Sequence, residues 1–253
     1  MMRLLIAEWL KTKRSALRWL IGTLPVVVGG ILGWYIVGRP WITAASAFSG
    51  FFSVWSAMVV PLGIAICAGQ LAAEEAESGF TAMLLCARPR VAIYLAKLIM
   101  LAFFVAMATA LAVGTFCFVL WLGGHAGDEW ALYGRAALAC WAAALPLAAC
   151  HLWLAMARGL GASVGVGIGG ALVGALIGDT LLGDGIWPFV PWAWPVRLSV
   201  LQAVEPSTLS APEQLALAQS MNLACLIALI SGILVTVSSL WWFSRWDGRH
   251  TAE

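Results

Sequence analysis

The sequence predicts an all-α membrane protein with six transmembrane helices, and three observations carry that expectation. First, 62% of the 253 residues are hydrophobic and only 10% are charged, with a mean hydropathy of +0.94. A soluble domain carries about 25% charged and about 45–50% apolar residues, so this excess cannot be hidden in one core and the solvent that accepts it is a bilayer. Second, six apolar stretches reach the roughly 20 residues that a spanning helix needs. They cover about 17–37, 44–71, 94–122, 133–156, 162–182 and 217–243. Third, none of them alternates apolar and polar residues over the length of a barrel strand. Low polarity also excludes intrinsic disorder, and a net charge of only +2 excludes a nucleic-acid partner. The chain reads as a single transmembrane domain over 1–253, with no cleavable signal peptide expected, because the first apolar run is too long for one.

Basic residues set the orientation, since Lys and Arg accumulate in cytoplasmic loops. With the N-terminus in the cytoplasm, the inner side receives Arg3, Lys11, Lys13, Arg14, Arg18, Arg88, Arg90, Lys97, Arg158, Arg245 and Arg249, 11 of the 14 Lys and Arg. The outer side receives Arg39, Arg135 and Arg197, and six spans return the C-terminus to the cytoplasm. Tryptophan agrees: 13 of the 15 fall at predicted helix ends, where amphipathic rings favour the headgroup level. Trp55 and Trp141 alone are left within the hydrocarbon region.

Three segments are not spans. At about 100° per residue, Arg3, Lys11, Arg14 and Arg18 share a helical stripe opposite Leu5, Ile6 and Trp9. Residues 3–16 therefore read as an interfacial helix on the inner leaflet, or as a topology signal alone. Residues 73–90 carry Glu74, Glu75 and Glu77, then Gly79, the apolar Phe80, Met83, Leu84 and Leu85, and then Arg88-Pro89-Arg90. Acids at a helix start, an apolar face at i, i+3, i+4 and a basic end describe a short amphipathic helix that Pro89 stops. It reads as a docking element, with a solvated loop as the alternative; an exposed apolar face favours docking. The outer segment 183–216 combines Pro188, Pro191 and Pro195 with three Trp. It reads as a broken hairpin dipping partly into the outer leaflet, or as a simple interfacial loop, with Ser210-Ala-Pro-Glu213 as a capping box starting the last helix.

Motifs for chemistry are absent. No GxxxxGK[ST] occurs, so the chain has no P-loop for ATP, and the formal GxGxxG at Gly165–Gly170 lies inside a span with no preceding strand. Gly161, Gly165 and Gly169, and likewise Gly170, Gly174 and Gly178, form small-xxx-small stripes suited to close helix packing. Six spans and Gly161-Ala-Ser163 raise intramembrane proteolysis. Val164 stands where a glycine is expected after that serine, and the last span contains no His. The six cysteines lack metal-ligand spacing, so neither a catalytic nor a metal site is expected. Span interiors are almost free of ionisable residues, with Lys97, Arg135 and Asp179 near ends, which disfavours an ion-coupled carrier. Pro25, Pro61 and Pro146 mark kinks, as hinges or as packing features.

AEWLKTKRSALRWLIGTLPVVVG (Ala7 to Gly29) and EEAESGFTAMLLCARPRVAIYLAKL (Glu74 to Leu98) resemble permeases of lantibiotic-immunity ABC transporters of the MutG and MutE/EpiE type, within the six-span ABC exporter permeases. The resemblance implies a division of labour. A separate cytoplasmic ABC ATPase holds ATP and Mg and hydrolyses ATP, this chain binds no cofactor, and a second six-span subunit, sister or identical, completes the pathway. A cationic antimicrobial peptide is then expelled from the bacterial cytoplasmic membrane. It also makes 73–90 the coupling helix: Glu74, Glu75 and Glu77 pair with basic groups on the ATPase, Phe80, Leu84 and Leu85 are buried anchors in its groove, and Gly79, Arg88 and Arg90 belong to the same interface. The outer side, at net −3, suits a cationic peptide. Two other readings stand beside this: an exporter subunit for another amphiphile, and a membrane protein that sequesters or senses the peptide without moving it.

Overall fold

The computed structural model describes residues 2–12, 17–77, 89–124, 130–204 and 206–245. Among these no strand occurs. A short helix, α1 (Met2–Lys11), precedes α2 (Leu17–Val37), α3 (Ala44–Glu77), α4 (Arg90–Leu122), α5 (Trp130–Gly178), α6 (Trp194–Val200) and α7 (Ala211–Arg245). Five of these, α2, α3, α4, α5 and α7, are long and apolar enough to cross a membrane.

Helix α5 does not run straight. Gly159 has φ 84° and ψ 178°, a backbone that only glycine adopts without strain. His151 Nδ1 lies 3.1 Å from Ser163 Oγ, although twelve residues of continuous helix would separate them by roughly 18 Å. The chain therefore doubles back at Gly159, and limbs 130–158 and 160–178 form an antiparallel hairpin. The second limb also runs antiparallel to α3. Gly69 meets Leu160, Gly167 meets Ala65, Gly174 meets Ala57, and at the far end Ser53 donates to Asp179.

Proline shapes α3. Pro61 has no N–H and its ring crowds the carbonyl of residue 57, so the preceding turn widens into a π-helix over Trp55–Val59, with the Val60 N–H reaching back to the Trp55 carbonyl. A second π turn, Gly174–Gly178, ends the hairpin and packs against the first. Around them sits a buried aromatic cluster. Phe51 stacks on Phe116 at 4.3 Å, and Phe48 meets Tyr133 edge-on at 5.1 Å. Lipid tails are as apolar as these side chains, so such packing, rather than exclusion of water, holds the helices together.

The chain between α5 and α7 folds back into the bundle. After turns at Trp187–Phe189 and Pro191–Ala193, α6 is buried along Trp194, Pro195, Val196, Leu198 and Ser199. The broken backbone that three prolines impose is thus covered by protein, the condition for irregular chain at membrane depth. Trp194 Nε1 donates to the Pro188 carbonyl at 2.8 Å, and Ser199 Oγ reaches Ser56 Oγ at 3.3 Å. Ser210 caps α7, with Glu213 accepting from its N–H at 2.8 Å.

The outer surface of the bundle is hydrocarbon. On α7, Leu226, Leu229, Ile233, Leu234 and Val237 are exposed, and only Ala224, Ala228, Ser239 and Phe243 are buried. A surface of this kind has no stable home in water.

Candidate coupling site

The end of the bundle where α3 finishes and α4 begins carries the densest chemistry. Helix α1 lies across it. Its local sequence MRLLIAEWLK places Glu8 and Lys11 one turn apart, and both turn toward the bundle. Lys97, one and a half to two turns into α4, is 0% exposed, and Glu75, in the last turn of α3, is 2% exposed. The four charges alternate in a closed ring. Glu8 accepts from Lys11 at 2.9 Å and from Lys97 at 2.7 Å, while Glu75 contacts Lys11 at 2.5 Å and Lys97 at 2.9 Å. The third proton of Lys97 points to the Leu71 carbonyl at 3.5 Å. A lone ammonium buried here would be prohibitively costly; two carboxylates and a carbonyl make it tolerable. At Lys11, burial works against the charge, but hydrogen bonds to Glu75 and Glu8 outweigh it and hold the ammonium above the ordinary lysine range.

The rest of α1 divides accordingly. Trp9 packs edge-on against Phe103 at 6.1 Å and carries the Arg18 guanidinium 4.2 Å above its ring. Met2, Ile6 and Leu10, spaced by four, are exposed along the outer face. The helix thus turns polar groups inward and an apolar stripe outward, the arrangement of a helix lying in an interface. Lys11, which periodicity places on one stripe with Arg3, Arg14 and Arg18, turns its ammonium to Glu8 and Glu75.

Of the residues proposed to meet an ATPase, Glu75 is likewise turned inside the chain by Lys11 and Lys97, which removes it from any partner-facing surface. Glu74 is half-buried, Glu77 is exposed at the end of α3, and Arg90 opens α4 behind Pro89, whose extended backbone stops any helix before it. Gly79, Phe80, Leu84, Leu85 and Arg88 lie outside the described residues. The ring itself was not visible in sequence periodicity, because its members are 64 and 89 residues apart. The available signal was pairwise: an acid and a base flanking one loop, and an i, i+3 pair on the preceding helix.

The two glycine stripes differ. A methyl group on Gly174 would stand 3.0 Å from the Trp192 carbonyl oxygen, one on Gly178 2.8 Å from Val196 Cβ, and one on Gly170 would enter the Trp192 indole. Gly161, Gly165 and Gly169 face open space instead. A further stripe went unnoticed in the sequence: Gly29 and Gly33 seat α2 against the backbone of α4.

His151 and Ser163 do not form a nucleophile and base. The Ser163 hydroxyl donates its one proton to the Ala65 carbonyl at 3.0 Å, so the bond to His151 is donated by Nδ1–H and the serine has no base to activate it. Both residues are at most 1% exposed. The two hydrogen bonds pin α3 and both limbs of α5 together. Among the described residues no three metal-ligating side chains converge. An apolar groove of about 730 Å³, open to the surface, runs between α4, the first limb of α5 and α7, with Gln202, Cys225 and Thr236 as its polar touches.

A helical bundle sheathed in hydrocarbon, with five helices long and apolar enough to cross a membrane among its described residues, is an integral membrane protein. Residues 4–176, more than half of the chain, match the ABC-2 family transporter protein family. The chain belongs to that family and is an ABC exporter permease, a kind of subunit that pairs with a cytoplasmic ABC ATPase. No curated protein and no solved structure matches it.

Proposed function

We propose that this permease crosses the bacterial cytoplasmic membrane six times, with both termini in the cytoplasm, and expels a lantibiotic-like cationic peptide to protect its producer. Energy comes from ATP and Mg bound by a partner ATPase, and a second six-span subunit, sister or identical, completes the pathway. The observation that carries the reading is the ABC-2 family match, which spans both segments whose sequence resembles the lantibiotic-immunity permeases. In this reading 73–90 is the coupling element, with Glu74, Glu77, Gly79, Phe80, Leu84, Leu85, Arg88 and Arg90 toward the ATPase and Glu75 supporting them from within.

The chain is expected to copurify with its ATPase. Glu77→Lys with Arg90→Glu should insert normally yet lose peptide resistance; unchanged resistance and ATPase capture in that variant would remove the coupling assignment. The open apolar groove favours a second reading, export of another amphiphile. Stimulation of ATP hydrolysis by a cationic lantibiotic, compared with neutral lipids and detergents, separates the two.

A further inference from the structure

We infer that the Glu8–Lys11–Glu75–Lys97 ring is a reversible latch that makes the N-terminal helix a moving part of the coupling apparatus. The purpose of the latch rests on the coupling reading above; its existence as a docking device does not. Three features of the ring carry the inference.

The first is position. Glu75 stands three residues before segment 78–88, and Lys97 nine residues after it, so the ring joins both stems of that segment. Each lysine touches both acids. Any displacement of one stem against the other therefore acts on α1 through Glu8 and Lys11 together, as well as on the Glu75–Lys97 contact.

The second is the way the ring divides. If α1 lifts away, Glu8 and Lys11 leave together as an i, i+3 pair on one helix, and Glu75 and Lys97 remain together between α3 and α4. Each half is neutral. An ordinary buried ion pair strands an uncompensated charge on opening, which is why such pairs hold so firmly. This ring opens into two complete pairs, so both docked and undocked states satisfy their charges. That is what a bistable element requires.

The third is asymmetry of exposure. The Lys11 side chain is 40% exposed, against 0% for Lys97. Water reaches the ring from the Lys11 corner alone, so opening begins on the α1 side and leaves the stems bridged. Beyond the ring, α1 is held by Trp9 on Phe103 and Phe104 at 6.1 and 6.2 Å, by Leu4 and Leu5 packed on the core, and by Arg18, which donates to the Trp9 carbonyl and to Thr12 Oγ1.

The test reads docking directly on the full chain in inside-out vesicles. Leu5 packs partly buried against the core, so Leu5→Cys should react slowly with a membrane-impermeant maleimide, measured against the parent chain. Lys97→Met leaves two carboxylates on one lysine, and labelling should rise by at least about tenfold. Should that variant fail to insert, Glu8→Gln with Lys11→Met leaves Glu75–Lys97 intact and should give the same rise. Alternation of charge makes a sharper demand. Exchanging Glu8 and Lys97 alone sets like charges side by side, next to Lys11 and next to Glu75, and should not restore protection. Inverting all four, E8K/K11E/E75K/K97E, should restore it.

Parent-level labelling in Lys97→Met and in the double neutral variant overturns the latch, as does full protection in the two-residue exchange. In the complex with the cognate ATPase, ATP plus vanadate should change Leu5→Cys labelling severalfold; no change overturns the moving-part claim. A parent chain that captures no ATPase at all removes the coupling reading instead, and the labelling series in the isolated chain still decides whether the ring docks α1.

Discussion

Gly29 illustrates how much a single position carries when helices touch backbone to backbone. Its missing side chain lets the Ala112 carbonyl of α4 approach so closely that a Cβ has no room, while its neighbour Gly30 has 3.8 Å to the Thr115 methyl. Gly29→Ala should cost about 1–3 kcal/mol by overpacking, against a gain of about 1 kcal/mol in helix propensity that Gly30→Ala collects without penalty. Thermal unfolding in detergent should therefore lower the midpoint for the first substitution and leave or raise it for the second. A drop of equal size in both would show that the α2–α4 contact is not tight. At this scale the sequence reading identifies glycine spacing as meaningful and gives the two stripes of the second limb equal weight. Gly161 and Gly170 look alike in a one-dimensional pattern. Only the placement of Trp192 and Val196, brought in by the distant α6 region, separates a filled stripe from an open one.

Helix α1 is the element whose character changed most. Periodicity placed Arg3, Lys11, Arg14 and Arg18 on one stripe, and it treated each charge by its own local surroundings. Lys11 instead answers to Glu75, 64 residues away, and Glu8 to Lys97, 89 residues away. No window short enough to define a helix contains both partners. Spans were legible because lipid imposes a length and an apolar content that any local window can measure. The ring was not, because its rule is neutrality of a three-dimensional site. Its pH response follows from the sign of the Lys11 shift. A lysine raised above its ordinary value of 10.5 contributes stability in full below that value and loses it as pH climbs through the raised one. Docking of α1, read by proteolysis of its N-terminal end, should hold from neutral pH to about 10 and fail above the lysine range. Release near pH 7 would contradict this.

For the whole molecule, the sequence gives the hydrocarbon sheath, the number of apolar stretches and the asymmetric distribution of bases directly. The short connections at 38–43 and 157–161 follow from the ends of the apolar stretches, while the reversal on Gly159 itself is visible only in the structure. The largely packed course of Trp187 to Val200 is harder to read, since three prolines and three tryptophans are compatible with either a surface loop or a packed insertion. What decides it is a set of small residues elsewhere, Gly170, Gly174 and Ser56, that leave space for it. The proposed six-crossing arrangement predicts a definite map. Tags at both termini and a cysteine at Arg158 should be reachable from the cytoplasm, and cysteines at Trp130 and Leu181 from outside. Either terminus found outside would refute the orientation.

The reversal at Gly159 bears on how the protein is made. A single residue connects the two limbs of α5, so no loop exists in which one limb can wait at the membrane surface while the other is synthesised. The limbs are also tied by polar groups, with His151 Nδ1 bonded to the Ser163 hydroxyl and that hydroxyl to the Ala65 carbonyl of α3. The insertion machinery must therefore release this stretch into lipid as a closed pair of helices, after α3 is already in place to receive it.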